Sequence, residues 1–292
     1  MTDPRDIDGI LEVVWPARHS LPLVFASPHS GSAYPPEFVQ GSNLDPLSLR
    51  RSEDSFVDQL FATSHERGAP LLRALYPRAF CDPNREPYEL DPAMFEDDLP
   101  AFANTRSPRV AAGLGTIARV VANGAEIYGG KLRYAEIASR INGYYKPYHA
   151  ALRTLVDRTR EAFGFCILVD CHSMPSIGGP MDKDPGETRV DFVLGDCFGT
   201  ACAPTITDEA ERVLTRLGYV VTRNDPYAGG FTTRHYGRPA DRLHALQIEI
   251  NRALYMDEEA IRPNAYMATL ARNLGHLVDR LGQLTDAALV PR

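Results

Sequence analysis

"FCILVDCHSMPS", residues 165–176, sets an apolar run from Phe165 to Val169 directly against Asp170 and His172. A run with no polar alternation is the pattern of a strand covered on both faces, so a central strand is expected over 165–170. Comparable short runs occur at 22–27 ("PLVFAS"), 70–75 ("PLLRAL"), 190–195 ("VDFVLG"), 218–222 ("GYVVT") and 244–250 ("HALQIEI"). Helical patterns lie between and after them, at 53–66, 133–159, 207–217 and 264–283. Ile137, Ile141, Tyr145, Tyr148, Leu152 and Val156 recur at three- and four-residue intervals and form one apolar stripe, with Pro147 expected to bend or split that helix. Met267, Leu270, Leu274, Leu277 and Leu281 form another. Strands alternating with helices predict an α/β fold, a mostly parallel or mixed sheet between two helical layers. Residues 81–130, rich in Pro, Gly and Asn, are expected to form long loops around one edge. With no internal repeat or linker, residues 1–292 read as a single domain.

The bulk properties exclude several classes. The chain has 292 residues, 44% hydrophobic and 24% charged, which is ordinary for a globular protein. A net charge of −7 argues against general binding to nucleic acid or anionic membranes. Five cysteines without a CxxC pair suggest neither a disulfide framework nor a structural Cys-type zinc site. No signal peptide and no apolar stretch of membrane-spanning length is visible, so a cytoplasmic protein acting on a small molecule is expected.

Polar groups gather at the ends of the strand candidates. "FASPHSG" places His29 after the first, "ILVDCHSMPS" places Asp170 and His172 after the central one, and "HALQIEINRALY" places Glu249 in the last. Ligands of open α/β sheets bind at the carboxyl ends of strands. Two histidines and a carboxylate are a common catalytic zinc set with an open position for water. Taken singly, His172 could hydrogen-bond its own turn and Asp170 could cap the next segment. Glu249 is harder to explain that way, because an unpaired carboxylate in an apolar strand is costly. The third ligand stays open between Glu53 and Asp54 in "RRSEDSFVDQLF", since acids in a first helical turn also complement the helix dipole. Asn84 and Arg85 in "FCDPNREPYELDP" offer a planar fork for a carboxylate, or a surface salt bridge with Asp82 or Glu86. Arg234 and His235 lie in the glycine-rich "NDPYAGGFTTRHYGRP", where close backbone approach to a ligand and a tight turn are equally open. Neither Ser30 nor Ser173 sits in a GxSxG elbow, which disfavours a serine hydrolase.

Seven segments, "SPHSG", "SEDSFVDQLF", "DPNREP", "KPYHAAL", "DCHSMPS", "DPYAGGFTTRHYG" and "LQIEINRALYMDE", resemble in order those of the N-formylglutamate amidohydrolase family, over about residues 22–260. The resemblance implies a zinc-carboxypeptidase-like (phosphorylase/hydrolase-like) three-layer αβα fold with a mixed central sheet and one zinc ion per chain. It matches His29 and His172 to the histidine ligands, Asp54 to the carboxylate ligand with Glu53 as the fallback, and Glu249 to the general base and acid. Asn84 and Arg85 resemble the pair that holds a substrate carboxylate, and Arg234 and His235 fall in a further substrate-binding segment. The HxxE spacing of the wider superfamily is absent. The implied reaction is hydrolysis of N-formyl-L-glutamate to formate and glutamate. The rivals are a deacylase of another N-acyl amino acid, a small carboxypeptidase, or a metal-free ligand-binding relative.

Overall fold

A computed structural model describes residues 4–180 and 182–289. Strands β1 (Leu11–Val14), β2 (Leu23–Ser27), β3 (Leu71–Ala74), β4 (Cys166–Met174), β5 (Phe192–Gly195), β6 (Val221–Arg223) and β7 (Leu243–Asn251) form one sheet in the order β1-β3-β2-β4-β7-β5-β6. The block β3-β2-β4-β7 is parallel, β1 runs antiparallel on β3, and β5 runs antiparallel to β7. The sheet is therefore mixed. Helices of six or more residues are α1 (Tyr134–Arg140), α2 (Lys146–Phe163), α3 (Pro204–Arg216), α4 (Phe231–Tyr236) and α5 (Met267–Leu281). The stripe of α2, with Tyr148, Leu152, Leu155 and Val156, packs on one face of the sheet, and α3 and α5 supply the core on the other. The result is three layers, helix, sheet and helix. No helix among the described residues is long and apolar enough to cross a membrane.

Alternation along the two central strands turns a core face into a site. On the α2 side β4 presents Cys166 and Leu168 to the core, then Asp170 and His172, while β7 presents Leu243 and Ala245, then Gln247 and Glu249. On the other side Ile167, Val169 and Cys171 of β4 and Leu246, Ile248 and Ile250 of β7 stay apolar to the end. The register pairs Asp170 with Gln247 and His172 with Glu249. Four polar side chains thus share one face at the carboxyl ends of neighbouring parallel strands.

Three local expectations are revised. The helix expected at 53–66 is broken into a short α-turn, Val57–Leu60, and a 3-10 turn, Ala62–Ser64. Phe56 is left-handed (φ 67°), a conformation that bars a helix from passing through it, and the Asp54 N–H is spent on the His29 carbonyl (3.0 Å). The helix expected at 133–159 runs from α1 to α2 through a π turn, Ile141–Tyr145. Pro147 has no N–H for the carbonyl of Gly143, and the wider turn just upstream absorbs that loss instead of breaking the helix. Residues 81–130 do more than skirt an edge: Leu90, Ile117, Val121 and Ile127 enter the α2-side core, and the segment walls the site.

Candidate active site

A cavity of about 300 Å³ opens at the carboxyl ends of β2, β4 and β7. His29 stands two residues past β2, and His172 ends the polar half of β4; their rings are 4.7 Å apart, centroid to centroid. Both aim Nδ1 at one oxygen, Asp54 Oδ2, at 3.2 Å from His29 and 3.0 Å from His172. One donor atom from each of these three buried residues lies within 4.8 Å of the others, so the trio could hold a metal ion. Donors sharing a tetrahedral ion at about 2.1 Å stand roughly 3.4 Å from one another, close to the spacing here. Glu53 turns away: its carboxylate pairs with Arg50 and accepts from the Tyr34 and Ser55 hydroxyls. Neither acid lies in a helical first turn, which removes the dipole explanation for both.

The far nitrogen of each ring also faces a buried carboxylate. His29 Nε2 is 2.8 Å from Asp82 Oδ1, and His172 Nε2 is 2.9 Å from Asp170 Oδ1. That is the arrangement by which a carboxylate fixes the tautomer of a metal-binding histidine. The Asp170 contact lies off the line of a good hydrogen bond, and Asn84 Nδ2 is 3.1 Å from the same nitrogen. Asn84 serves Nε2 when that atom is bare, and Asp170 serves it when it carries a proton. Arg252 takes Asp54 Oδ1 (3.0 Å) and leaves Oδ2 to the two rings, while Arg78 takes Asp82 Oδ2 (2.7 Å).

So many carboxylates in so little water demand positive charge. Burial alone would raise Asp54, but hydrogen bonds from His172 and His29 and the charge of Arg252 hold it well below the usual carboxylate range. Burial alone would lower His172, yet Asp170, Asp54 and Glu249 outweigh it and hold the ring well above the ordinary histidine value. A cation among these donors satisfies the same demand that protonating His172 does, and the donor set fits a divalent ion. Glu249, beside His172, is pushed up to about 7, chiefly by burial and also by Asp54 and Asp170. Its Oε1 accepts from Gln247 Nε2 (2.9 Å), and Gln247 Oε1 accepts from the Gly230 N–H (2.8 Å).

The loop 82–85 is held from several sides. Asn84 Oδ1 accepts from the Thr232 N–H (2.8 Å), and a Cβ on Gly230 would fall 2.4 Å from Asn84 Nδ2. The glycine there serves close approach to a protein side chain. Arg85 is buried, with Nε on the Leu114 carbonyl (2.7 Å) and Nη1 on the Asn84 carbonyl (2.8 Å). Tyr145 donates to the Arg85 carbonyl (2.7 Å), and His149 Nε2 donates to the Pro83 carbonyl (2.8 Å) while its Nδ1 accepts from Tyr236. Burial pulls His149 down to about 4 from 6.5, and His244 likewise to about 4. Between about pH 6.5 and 4 the unfolded chain binds protons that the folded chain refuses, so the folded state loses stability as pH falls through that window. The melting temperature is expected to drop there, and to drop less steeply in His149→Gln, whose amide can still reach Pro83; equal slopes in a pH series of thermal melts would exclude His149 as a contributor.

Of the residues singled out in the sequence, the structure gathers His29, Asp54, Asn84, Arg85, His172 and Glu249 around the cavity. Arg234 and His235 are not brought there. That stretch forms α4, on whose exposed face both lie; Arg234 reaches the Gly229 carbonyl, and His235 stacks on Phe231 (4.8 Å between centroids). Gly229 and Gly230, just before α4, line the cavity in their place. Arg78, Arg252 and Gln247 are site residues to which the sequence assigned no role, while Asp82 stood there only as a salt-bridge partner for Arg85 and Asp170 only as a strand-end carboxylate or cap. Asp170 alone carried a signal, as a carboxylate ending an apolar strand.

A family model for N-formylglutamate amidohydrolase matches residues 21–256. A curated N-formylglutamate deformylase of Pseudomonas putida is 32% identical over 256 residues, 86% of this chain and 87% of that protein. The crystal structure of N-formylglutamate amidohydrolase from Ralstonia eutropha JMP134 superposes with a TM-score of 0.86 at 40% identity, covering 94% of this chain and 98% of that one. The structure of an Agrobacterium tumefaciens gene product shares the fold, with a TM-score of 0.66 at 20% identity over 93% and 94% of the two chains. A family match across most of the chain, carried by the same strands and loops that build the cavity, establishes that this chain belongs to the N-formylglutamate amidohydrolase family.

Proposed function

We propose that the chain hydrolyses the N-formyl amide of N-formyl-L-glutamate, releasing formate and glutamate, with one zinc ion held by His29, Asp54 and His172. The supporting observation is the convergence of both Nδ1 atoms on Asp54 Oδ2 with Glu249 in register beside His172. Zinc, when bound, supplies a Lewis acid for the amide carbonyl and makes water more acidic near neutral pH. Glu249 takes a proton from the attacking water and passes it to the amide nitrogen as the C–N bond breaks. The water oxygen ends in formate, and the nitrogen leaves as the amine of glutamate. Gln247 holds Oε1, which leaves Oε2 as the atom that moves the proton. A carboxyl group near 7 can both accept and return a proton at neutral pH, which this role requires. Arg85, with N–H groups to spare, grips a substrate carboxylate and orients the amide.

The test is formate release from a panel of N-formyl and N-acetyl amino acids and short peptides, with zinc and after chelation. Formate should appear from N-formyl-L-glutamate, vanish with chelator and return with about one zinc per chain. Turnover of acetyl substrates or peptides with formyl substrates untouched would replace this reading with a deacylase or a carboxypeptidase.

A further inference from the structure

The cavity is lined by five cationic side chains, Arg78, Arg85, Arg109, Lys183 and Arg252. Arg78 is committed to Asp82 and Arg252 to Asp54. Arg85 uses two of its N–H groups on backbone carbonyls, and its nearest carboxylate oxygen is 3.8 Å away. Arg109 makes no side-chain hydrogen bond or ion pair among the described residues. Lys183 makes none among them either, but of the two only Arg109 is tied to Arg85, through one residue: the Leu114 N–H donates to the Arg109 carbonyl (2.8 Å), and the Leu114 carbonyl accepts from Arg85 Nε (2.7 Å). Arg85 and Arg109 repel each other. Burial, with the charges of Arg78 and Arg109, brings Arg85 down to about 10 against the opposing pull of Asp82.

Two under-used guanidinium groups on one wall match a ligand with two anionic groups. They differ in depth, since Arg85 is buried and Arg109 is exposed. In an N-formyl amino acid the α-carboxylate is fixed close to the scissile amide, whereas a side-chain carboxylate extends away from it. The near anion therefore suits the buried arginine and the far one the exposed arginine. We propose that Arg109 is the specificity-determining residue of this site, taking the side-chain carboxylate of an N-formyl dicarboxylic amino acid while Arg85 takes the α-carboxylate. This assignment rests on the amidohydrolase reading above.

The test compares kcat/KM of the zinc-loaded full chain, wild type, Arg109→Gln and Arg85→Gln, on three substrates. These are N-formyl-L-glutamate, N-formyl-L-glutamine, and the α-amide of N-formyl-L-glutamate. Wild type should prefer the glutamate over the glutamine substrate by about 10- to 100-fold, the range of one charge-assisted contact. In Arg109→Gln that ratio should collapse towards one, with part of it returning in Arg109→Lys. Arg85→Gln should instead erase the preference for glutamate over its α-amide. A general defect in fold or metal binding lowers all substrates together and leaves both ratios intact, and that result for Arg109→Gln overturns the assignment. So does an exchange of roles between the two arginines. A wild type that hydrolyses formyl substrates without regard to side-chain charge also overturns it, and leaves the hydrolase reading standing. A wild type inactive on all three removes that reading and this one with it.

Discussion

Replacing Glu249 with Gln is expected to lower kcat by about 10²–10⁴-fold while metal content, fold and KM change little. The amide has nearly the shape of the carboxylate, and its oxygen can still accept from Gln247, so packing on the α2 face of β7 is kept. What disappears is the lone pair that takes the proton of water. The carboxylate is also expensive where it is: burial, and after it the charges of Asp54 and Asp170, push it up to about 7. Neutralising it should therefore leave the melting temperature equal or higher, the opposite of what a structural residue would give. Steady-state kinetics, zinc analysis and a thermal melt on one preparation decide the matter. Near-normal kcat would remove Glu249 from the mechanism, and His235 could not take its place from the exposed face of α4.

Removing either ring should abolish stoichiometric metal binding. His29→Ala and His172→Ala each delete one of three protein donors, so zinc retained after dialysis should fall from about one per chain to a small fraction. The two variants differ in stability. Without His172, Asp54 keeps Arg252, but Asp170 and Glu249 lose their nearest positive charge, and breaking such a buried pair costs about 3–5 kcal/mol. His172→Gln, whose amide nitrogen can stand near the Nε2 position and donate to Asp170, separates metal loss from the loss of that buried contact. Asp82→Asn should fall between wild type and the ring deletions, with zinc affinity about 10- to 100-fold weaker, because it alters only the group that orients His29. Full zinc content in both alanine variants would mean the metal ligands lie elsewhere.

Strand and helix positions were readable because burial leaves a periodic trace. The apolar run at 165–169 did mark the central strand, and the stripes at 137–156 and 267–281 did mark buried helix faces. The edge strand β1 left no such trace: "LEVV" alternates over four residues only and is paired on one side alone. The end of β4 was also hidden, since Asp170 to Met174 looks like a turn until β7 is laid beside it in register.

The chain's own sequence determined that His29, His172 and Glu249 would stand at strand ends, because a polar residue following an apolar run is a local fact. Only the tertiary structure decided which acid serves the rings. Glu53 and Asp54 are adjacent and chemically alike, and the choice turns on distant partners: the His29 carbonyl and Arg252 hold Asp54 beside the rings, while Arg50 holds the Glu53 carboxylate away from them. The same holds for Asp82, whose ring partner His29 lies far away in the sequence, and for Arg109, set on a four-residue helical turn (Pro108–Ala111) with no side-chain partner among the described residues. Their roles follow from which charges are buried together and which are left uncompensated, and that is a property of folded neighbours that no local pattern encodes.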